Sequence, residues 1–164
     1  MKVIYDKSND VFELRENGKN IFYNDYSNCI STCISNVLSK PKENVKNIDD
    51  EFYLKIVPSN ACNLSCKYCF SYGDRQTGEI LEYEAVQETI KSIVRGGWKN
   101  ISISFTGGGE PTLNFEFIKK CVESLQSYKN IRYNLTTNGL FDRACLDFLI
   151  KNKINVAVSI DGTG

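Results

Sequence analysis

Between residues 52 and 160 the sequence alternates short β-prone runs with longer segments whose apolar residues recur at helical spacing. The β-prone runs are residues 52–57, 101–105, 131–136 and 154–160. A long loop to about residue 80 follows the first run, and each later run is preceded by a predicted helix. Strands alternating with helices imply parallel pairing through right-handed crossovers. The sequence therefore predicts an α/β fold with four parallel strands.

Each of the four predicted strands ends beside a polar or glycine-rich motif. The motifs are the cysteine run at 62–69, Thr106-Gly107-Gly108-Gly109-Glu110-Pro111, Thr136-Thr137-Asn138-Gly139 and Ser159-Ile160-Asp161-Gly162. Parallel α/β sheets and barrels build their ligand sites at the carboxyl ends of the strands. We therefore expect the four motifs to line one rim of the sheet.

Three cysteines, Cys62, Cys66 and Cys69, fall within eight residues in a C-x3-C-x2-C pattern. Closely spaced thiolates on one loop are typical of iron–sulfur sites. No fourth cysteine follows closely and the chain contains no histidine, whereas structural zinc takes four protein ligands. The pattern favours a [4Fe–4S] cluster with one open iron, and a structural zinc or thiol site is the alternative.

With Tyr68 before the third cysteine, the run reads C-x3-C-x-aromatic-C, and the three other motifs follow it in order. This set resembles the radical S-adenosylmethionine (radical SAM) superfamily, and most of all its SPASM/twitch branch, which matures peptides and sulfatases. The resemblance covers about residues 52–164. It implies a partial (β/α) barrel with four of the usual six or so strands, preceded by a small α+β segment.

The resemblance also implies roles for particular residues. Cys62, Cys66 and Cys69 would hold the [4Fe–4S] cluster, and the open iron would bind S-adenosylmethionine, whose reductive cleavage yields a 5′-deoxyadenosyl radical. Tyr68 would lie near the adenine or shield the cluster, with plain packing of its ring as the alternative. The methionine ammonium would be held by a glycine-run carbonyl and a carboxylate; these residues are Gly108, Gly109 and Glu110. Without the cysteines, the glycine run would be only a turn.

Two weaker candidates close the predicted site. In the resemblance, Ser159 and Asp161 would bond the ribose or the methionine carboxylate, although Asp-Gly is also a common turn pair. Thr137 and Asn138 are weaker candidates still, because Asn138-Gly139 is a turn signal in its own right.

Residues 1–50 differ in pattern from the predicted barrel at 51–164. Asn17-Gly18 between two β-prone runs predicts a hairpin. A helix is predicted from about Cys29, with Cys29 and Cys33 on one face, either as a metal or redox pair or as two small core residues. Residues 40–50 are polar and predict a linker. A leader peptide that adds as a strand to the hairpin is one hypothesis for this segment.

Lys and Arg together number 20 and equal Asp plus Glu, so no basic field indicates nucleic acid or an anionic membrane. Seven cysteines, an odd number with three clustered, are typical of a reducing cytoplasm rather than a disulfide framework. We expect the N-terminal portion of a longer enzyme, with a peptide or protein substrate and a reductant such as flavodoxin or ferredoxin. A radical SAM enzyme for a small molecule and a non-catalytic metal- or partner-binding module are the alternatives.

Overall fold

The computed structural model describes residues 2–6, 11–16, 19–24, 29–32, 51–71 and 78–160. Its centre is an eight-stranded sheet in which every strand pairs with the next one in sequence. The strands are β1 (Lys2–Asp6), β2 (Val11–Glu16), β3 (Lys19–Asn24), β4 (Cys29–Ser31), β5 (Glu51–Ile56), β6 (Asn100–Phe105), β7 (Ile131–Thr137) and β8 (Asn155–Val158). The helices are α1 (Tyr83–Val94), α2 (Phe115–Ser124) and α3 (Arg143–Lys151), with a 3₁₀ helix at Pro111–Asn114.

The sheet is mixed and open. Strands β1 to β4 pair antiparallel, whereas β4 to β8 pair parallel. The predicted succession of four parallel strands from residue 52 is confirmed. None of the described helices has the length and apolar character needed to cross a membrane.

One face of the parallel strands forms the main core with the three helices. Alternate residues of β6, namely Ile101, Ile103 and Phe105, have no exposed surface. Ile90 of α1 and Ile118 of α2 are equally buried against the same cluster. A strand exposes successive side chains on opposite faces, so the serines between these β6 residues lie on the other face.

The N-terminal strands continue the same sheet. Antiparallel β2 and β3 flank Asn17-Gly18, as the hairpin prediction required, although those two residues lie outside the described part of the chain. The helix predicted from Cys29 is wrong for Cys29–Ser31, which forms β4. Ile30 pairs with Tyr23 on one side and with Ile56 on the other, and this pairing decides the local structure. Cys33 and the predicted linker lie outside the described residues, and the domain division at residue 50 stays a prediction.

Asn114 connects two segments of the chain at the start of α2. It precedes α2, but its side chain makes no capping hydrogen bond. Its Nδ2 atom instead donates to the carbonyl oxygens of Pro58 and Leu81, each at 2.8 Å. Asn114 therefore joins the chain that leaves β5 to the chain that enters α1.

Candidate functional site

Three loops meet at the carboxyl-terminal rim of the parallel strands. We call them the cysteine loop (residues 62–69), the glycine loop (residues 106–110) and the asparagine loop (residues 137–140). The backbone N–H of Gly109 donates to the Ser59 carbonyl and that of Glu110 donates to the Ala61 carbonyl, both at 2.8 Å. These two bonds attach the glycine loop to the residues that lead directly into Cys62.

The glycines are required because the backbone of the glycine loop lies against the chain before the cysteines. A Cβ atom on Gly109 would lie 1.9 Å from the Ala61 carbonyl oxygen. At Gly108 it would lie 2.5 Å from Asn60 Oδ1, and φ is +67° there. The glycines therefore allow the backbone of this loop to lie against the residues that lead into the cysteine loop.

The Glu110 carboxylate is buried, with 3% of its surface exposed. Its Oε1 atom accepts hydrogen bonds from the Thr112 backbone N–H at 3.1 Å, the Thr112 hydroxyl at 2.7 Å and the Thr137 hydroxyl at 2.6 Å. Oε2 accepts the Asn138 backbone N–H at 2.8 Å. An ionised carboxylate has about four acceptor positions, so internal donors occupy nearly all of its capacity.

The asparagine loop also reaches the cysteine loop directly. Asn138 Nδ2 donates to Asn63 Oδ1 at 2.7 Å, and Asn63 Nδ2 donates to the Leu140 carbonyl at 3.3 Å. These bonds attach the asparagine loop to the cysteine loop at the residue directly after Cys62. The cysteine, glycine and asparagine loops are thus joined by hydrogen bonds.

The cysteines of the loop are free, half-exposed thiols. The Leu64 N–H points to Cys62 Sγ at 3.5 Å, and the Cys69 N–H donates to the Cys66 carbonyl at 3.2 Å. Among the described residues, no three Cys, Asp, Glu or His side chains already surround a common metal position. The donor set itself, three free thiols on one loop beside a glycine-lined backbone, fits an iron–sulfur centre in its chemistry.

The remaining predicted residues lie around this rim with fewer contacts. Tyr68 is 69% exposed, so its ring does not pack in the core. Ser159 is exposed, and its backbone N–H donates to the Thr137 carbonyl at 2.8 Å. That bond brings the end of β8 to the asparagine loop. Asp161 lies outside the described residues.

Sequence reasoning missed the side chains that organise the site. Thr112 and Asn63 were not candidates, and Thr137 and Asn138 were rated below the others. Their polar partners are distant in sequence: 27 residues separate Thr137 from Glu110, and 75 separate Asn138 from Asn63. The available signal was their position beside a motif at a strand end.

Three cysteines outside the loop, all in the described part of the chain, differ from the loop cysteines in their electrostatics. Cys29, Cys121 and Cys145 are buried. Burial raises the pKa of the Cys121 thiol to about 12 and those of Cys29 and Cys145 to about 11. Burial disfavours the charged form, so these thiols stay protonated well above neutral pH and are suited to packing.

We expect iodoacetamide at pH 8 to label the three loop cysteines at least ~10-fold faster than Cys29, Cys121 and Cys145, because the exposed thiolate is the nucleophile. Peptide mass spectrometry after timed quenching measures each rate. Labelling of the buried thiols should rise with pH towards their raised pKa values, about 11 for Cys29 and Cys145 and about 12 for Cys121. Equal native rates for Cys66 and Cys121 at pH 8 would contradict the assignment, and urea-unfolded protein provides the control in which all sites react.

The open α/β sheet and the thiol-bearing loop at its carboxyl-terminal rim define an α/β protein with a candidate metal site at that rim. The chain belongs to the radical SAM superfamily, whose sequence model matches residues 56–164, well over half of its length.

The chain is similar to curated proteins whose names indicate two kinds of substrate, a protein and a nucleotide. It is 36% identical over 115 residues to a cysteine-type anaerobic sulfatase-maturating enzyme of Clostridium perfringens, a match that covers 63% of this chain and 31% of that protein. It is 31% identical over 87 residues to a probable GTP 3′,8-cyclase of Thermoplasma volcanium, covering 53% of this chain and 26% of that protein. The chain thus spans about a third or less of the length of these relatives.

The fold is also similar to that of a solved relative. Native anSMEcpe with bound AdoMet and the Cp18Cys peptide superposes with a TM-score of 0.61 at 34% sequence identity. The superposition covers 69% of this chain and 32% of the other. The likeness therefore supports both the fold and the family.

Proposed function

We propose that this chain is the cluster-binding part of a radical SAM enzyme that modifies a peptide or protein side chain. One observation carries the proposal: two backbone hydrogen bonds attach the glycine loop to the residues leading into Cys62. They place a polar glycine-rich backbone beside three free thiols at the rim where parallel sheets bind ligands. When bound, a [4Fe–4S] cluster would supply the electron that cleaves S-adenosylmethionine to methionine and a 5′-deoxyadenosyl radical.

In this proposal Cys62, Cys66 and Cys69 ligate the cluster, and the glycine loop binds the methionine end of S-adenosylmethionine. Internal donors already occupy most of the Glu110 carboxylate. We therefore assign the ammonium of S-adenosylmethionine chiefly to backbone carbonyls of Gly108 and Gly109. Tyr68, exposed beside Cys69, can cover the nucleoside or the cluster, and Ser159 is a candidate for a ribose contact.

A peptide or protein substrate is favoured over a small molecule by the comparisons. The identity to the sulfatase-maturating relative, 36%, is higher than the 31% to the GTP cyclase. The proposal includes a cytoplasmic location. It also includes a flavodoxin- or ferredoxin-type reductant, because the reductive cleavage of S-adenosylmethionine needs a low-potential electron. The small-molecule enzyme is the second candidate, and the GTP cyclase relative supports it.

Anaerobic reconstitution with iron and sulfide tests the cluster assignment. We expect a brown protein with about four irons per chain, as a [4Fe–4S] centre requires. Single Cys62→Ala, Cys66→Ala and Cys69→Ala variants should lose most of this iron. Cys121→Ala and Cys145→Ala are matched controls, because each also removes one thiol. These two variants should keep the iron. A colourless protein with one zinc, or equal iron loss in loop variants and controls, would refute the assignment.

The reaction is tested with the longest natural form of the protein. Dithionite and S-adenosylmethionine should give 5′-deoxyadenosine, whereas a non-catalytic module would give none. Mass spectrometry of cysteine-containing peptides encoded beside the gene, and of GTP in a parallel reaction, then separates the two substrate classes. A changed peptide mass supports the first candidate, and conversion of GTP supports the second.

A further inference from the structure

Two asparagines on different loops bind each other next to the first cysteine. Asn138 donates to Asn63 Oδ1 at 2.7 Å, and Asn63 donates to the Leu140 carbonyl at 3.3 Å. We call this pair of hydrogen bonds the Asn63–Asn138 clasp. It connects the cysteine loop to the asparagine loop across the rim.

The asparagine loop, which contributes Asn138 to the clasp, is itself held by the Glu110 carboxylate. Buried Glu110 accepts the Asn138 backbone N–H at 2.8 Å and the Thr137 hydroxyl at 2.6 Å. Asn138 Oδ1 accepts the Leu140 N–H at 2.9 Å. Because the Asn138 oxygen faces Leu140, its NH₂ group faces Asn63, so the direction of the side-chain amide is determined.

The two ends of this arrangement differ in exposure. Glu110 is buried, and hydrogen bonds made in the interior are costly to leave unmade. The contact between Asn63 and Asn138 is exposed to solvent. The buried Glu110 carboxylate therefore fixes the backbone of the asparagine loop. The exposed Asn138 side chain of that loop in turn binds the cysteine loop through Asn63.

We propose that Asn63 and Asn138 are positioning residues, and that their clasp holds the cysteine loop against the rim before any metal binds. Glu110 acts through Asn138 rather than by contact with a ligand. The clasp is a property of the metal-free chain, and its use in holding a cluster rests on the proposed function. Placing Cys62 in advance would reduce the ordering that the loop must undergo when the cluster forms.

Asn138→Asp tests the clasp with a change of one group. It keeps the oxygen that accepts from Leu140 but replaces the NH₂ that donates to Asn63. In the metal-free full chain, hydrogen–deuterium exchange of the amides at 63–66 should become roughly fivefold faster, the effect of losing one net hydrogen bond. Asn130→Asp is the matched control: Asn130 donates to the Trp98 carbonyl at 2.7 Å, before β7 and away from the rim. It should leave exchange at 63–66 unchanged.

A double-mutant cycle shows whether the effect passes through Asn63. In an Asn63→Ala background the donor's partner is already absent, so Asn138→Asp should add no further acceleration at 64–66. Unchanged exchange in Asn138→Asp alone would overturn the proposal. An equal acceleration with and without Asn63 would overturn it as well.

The same variants give a second measurement in the reconstituted protein. Transfer of iron to an excess of a chelator, bathophenanthroline disulfonate, should be several-fold faster for Asn138→Asp than for wild type and Asn130→Asp. Wild type that takes up no cluster would refute the proposed function, while the exchange result would still decide on the clasp. Faster exchange with unchanged iron loss would confine the clasp to the metal-free chain and overturn its role in retention.

Discussion

Gly109→Ala is expected to destabilise the protein by about 3 kcal/mol or more, in the range reserved for severe single substitutions. The new Cβ would lie 1.9 Å from the Ala61 carbonyl oxygen, which is backbone and has no rotamer to change. The glycine loop must then move away and lose the Gly109 and Glu110 bonds to Ser59 and Ala61. Urea unfolding followed by circular dichroism measures the loss.

Gly97→Ala is the matched control for this substitution. Its φ is +84°, but a Cβ there meets nothing within 4 Å. The cost should be that of the left-handed backbone alone, about 1–2 kcal/mol. If the two variants had the same urea midpoint at equal m-values, the close approach of the glycine loop to Ala61 would be contradicted.

The second large effect is expected at Glu110. Glu110→Ala removes the acceptor for two buried threonine hydroxyls and two backbone N–H groups, on Thr112 and Asn138. Leaving buried donors without a partner should cost about 3–5 kcal/mol. Glu110→Gln should cost less, since one amide oxygen remains, but its NH₂ then opposes at least one donor. Thermal unfolding of the two variants measures the difference.

Glu116→Ala is the control for the removal of a carboxylate. Glu116 is exposed on α2 and its ion pair with Lys119 is long, at 3.9 Å, so the loss should be below about 1 kcal/mol. If Glu110→Ala were as mild as Glu116→Ala, the Glu110 carboxylate would not organise the rim. A separate result would bear on the ligand: full stability with loss of S-adenosylmethionine binding would assign Glu110 to a direct contact.

Local patterns were sufficient to predict the parallel half of the sheet. Residues 101–105 carry alternate apolar side chains that are all buried on one face of β6. The glycine run directly after β6 predicted part of a ligand site at this rim, and the cysteine spacing predicted a metal site. Each of these signals is contained in a short stretch of sequence, so each can be read without knowing which residues it contacts in the fold.

Where two local structures were compatible with the same residues, the prediction was wrong. Cys29 and Ile30 satisfy a helical period with later residues, and they also suit a buried strand. The strand forms because Ile30 pairs between Tyr23 and Ile56 and completes the sheet there. The partner strands thus decided the structure of this segment.

The amino-acid sequence alone determined the alternation of strands and helices, the rim on which the motifs lie and the identity of the sulfur ligands we propose. Each follows from periodicity or spacing within a short stretch of chain. Only the tertiary structure decided what Glu110 and Asn138 contact, because their partners are far away in sequence and are brought near by strand pairing. A buried carboxylate accepts the donors that the fold places around it, and no local pattern shows which donors those are.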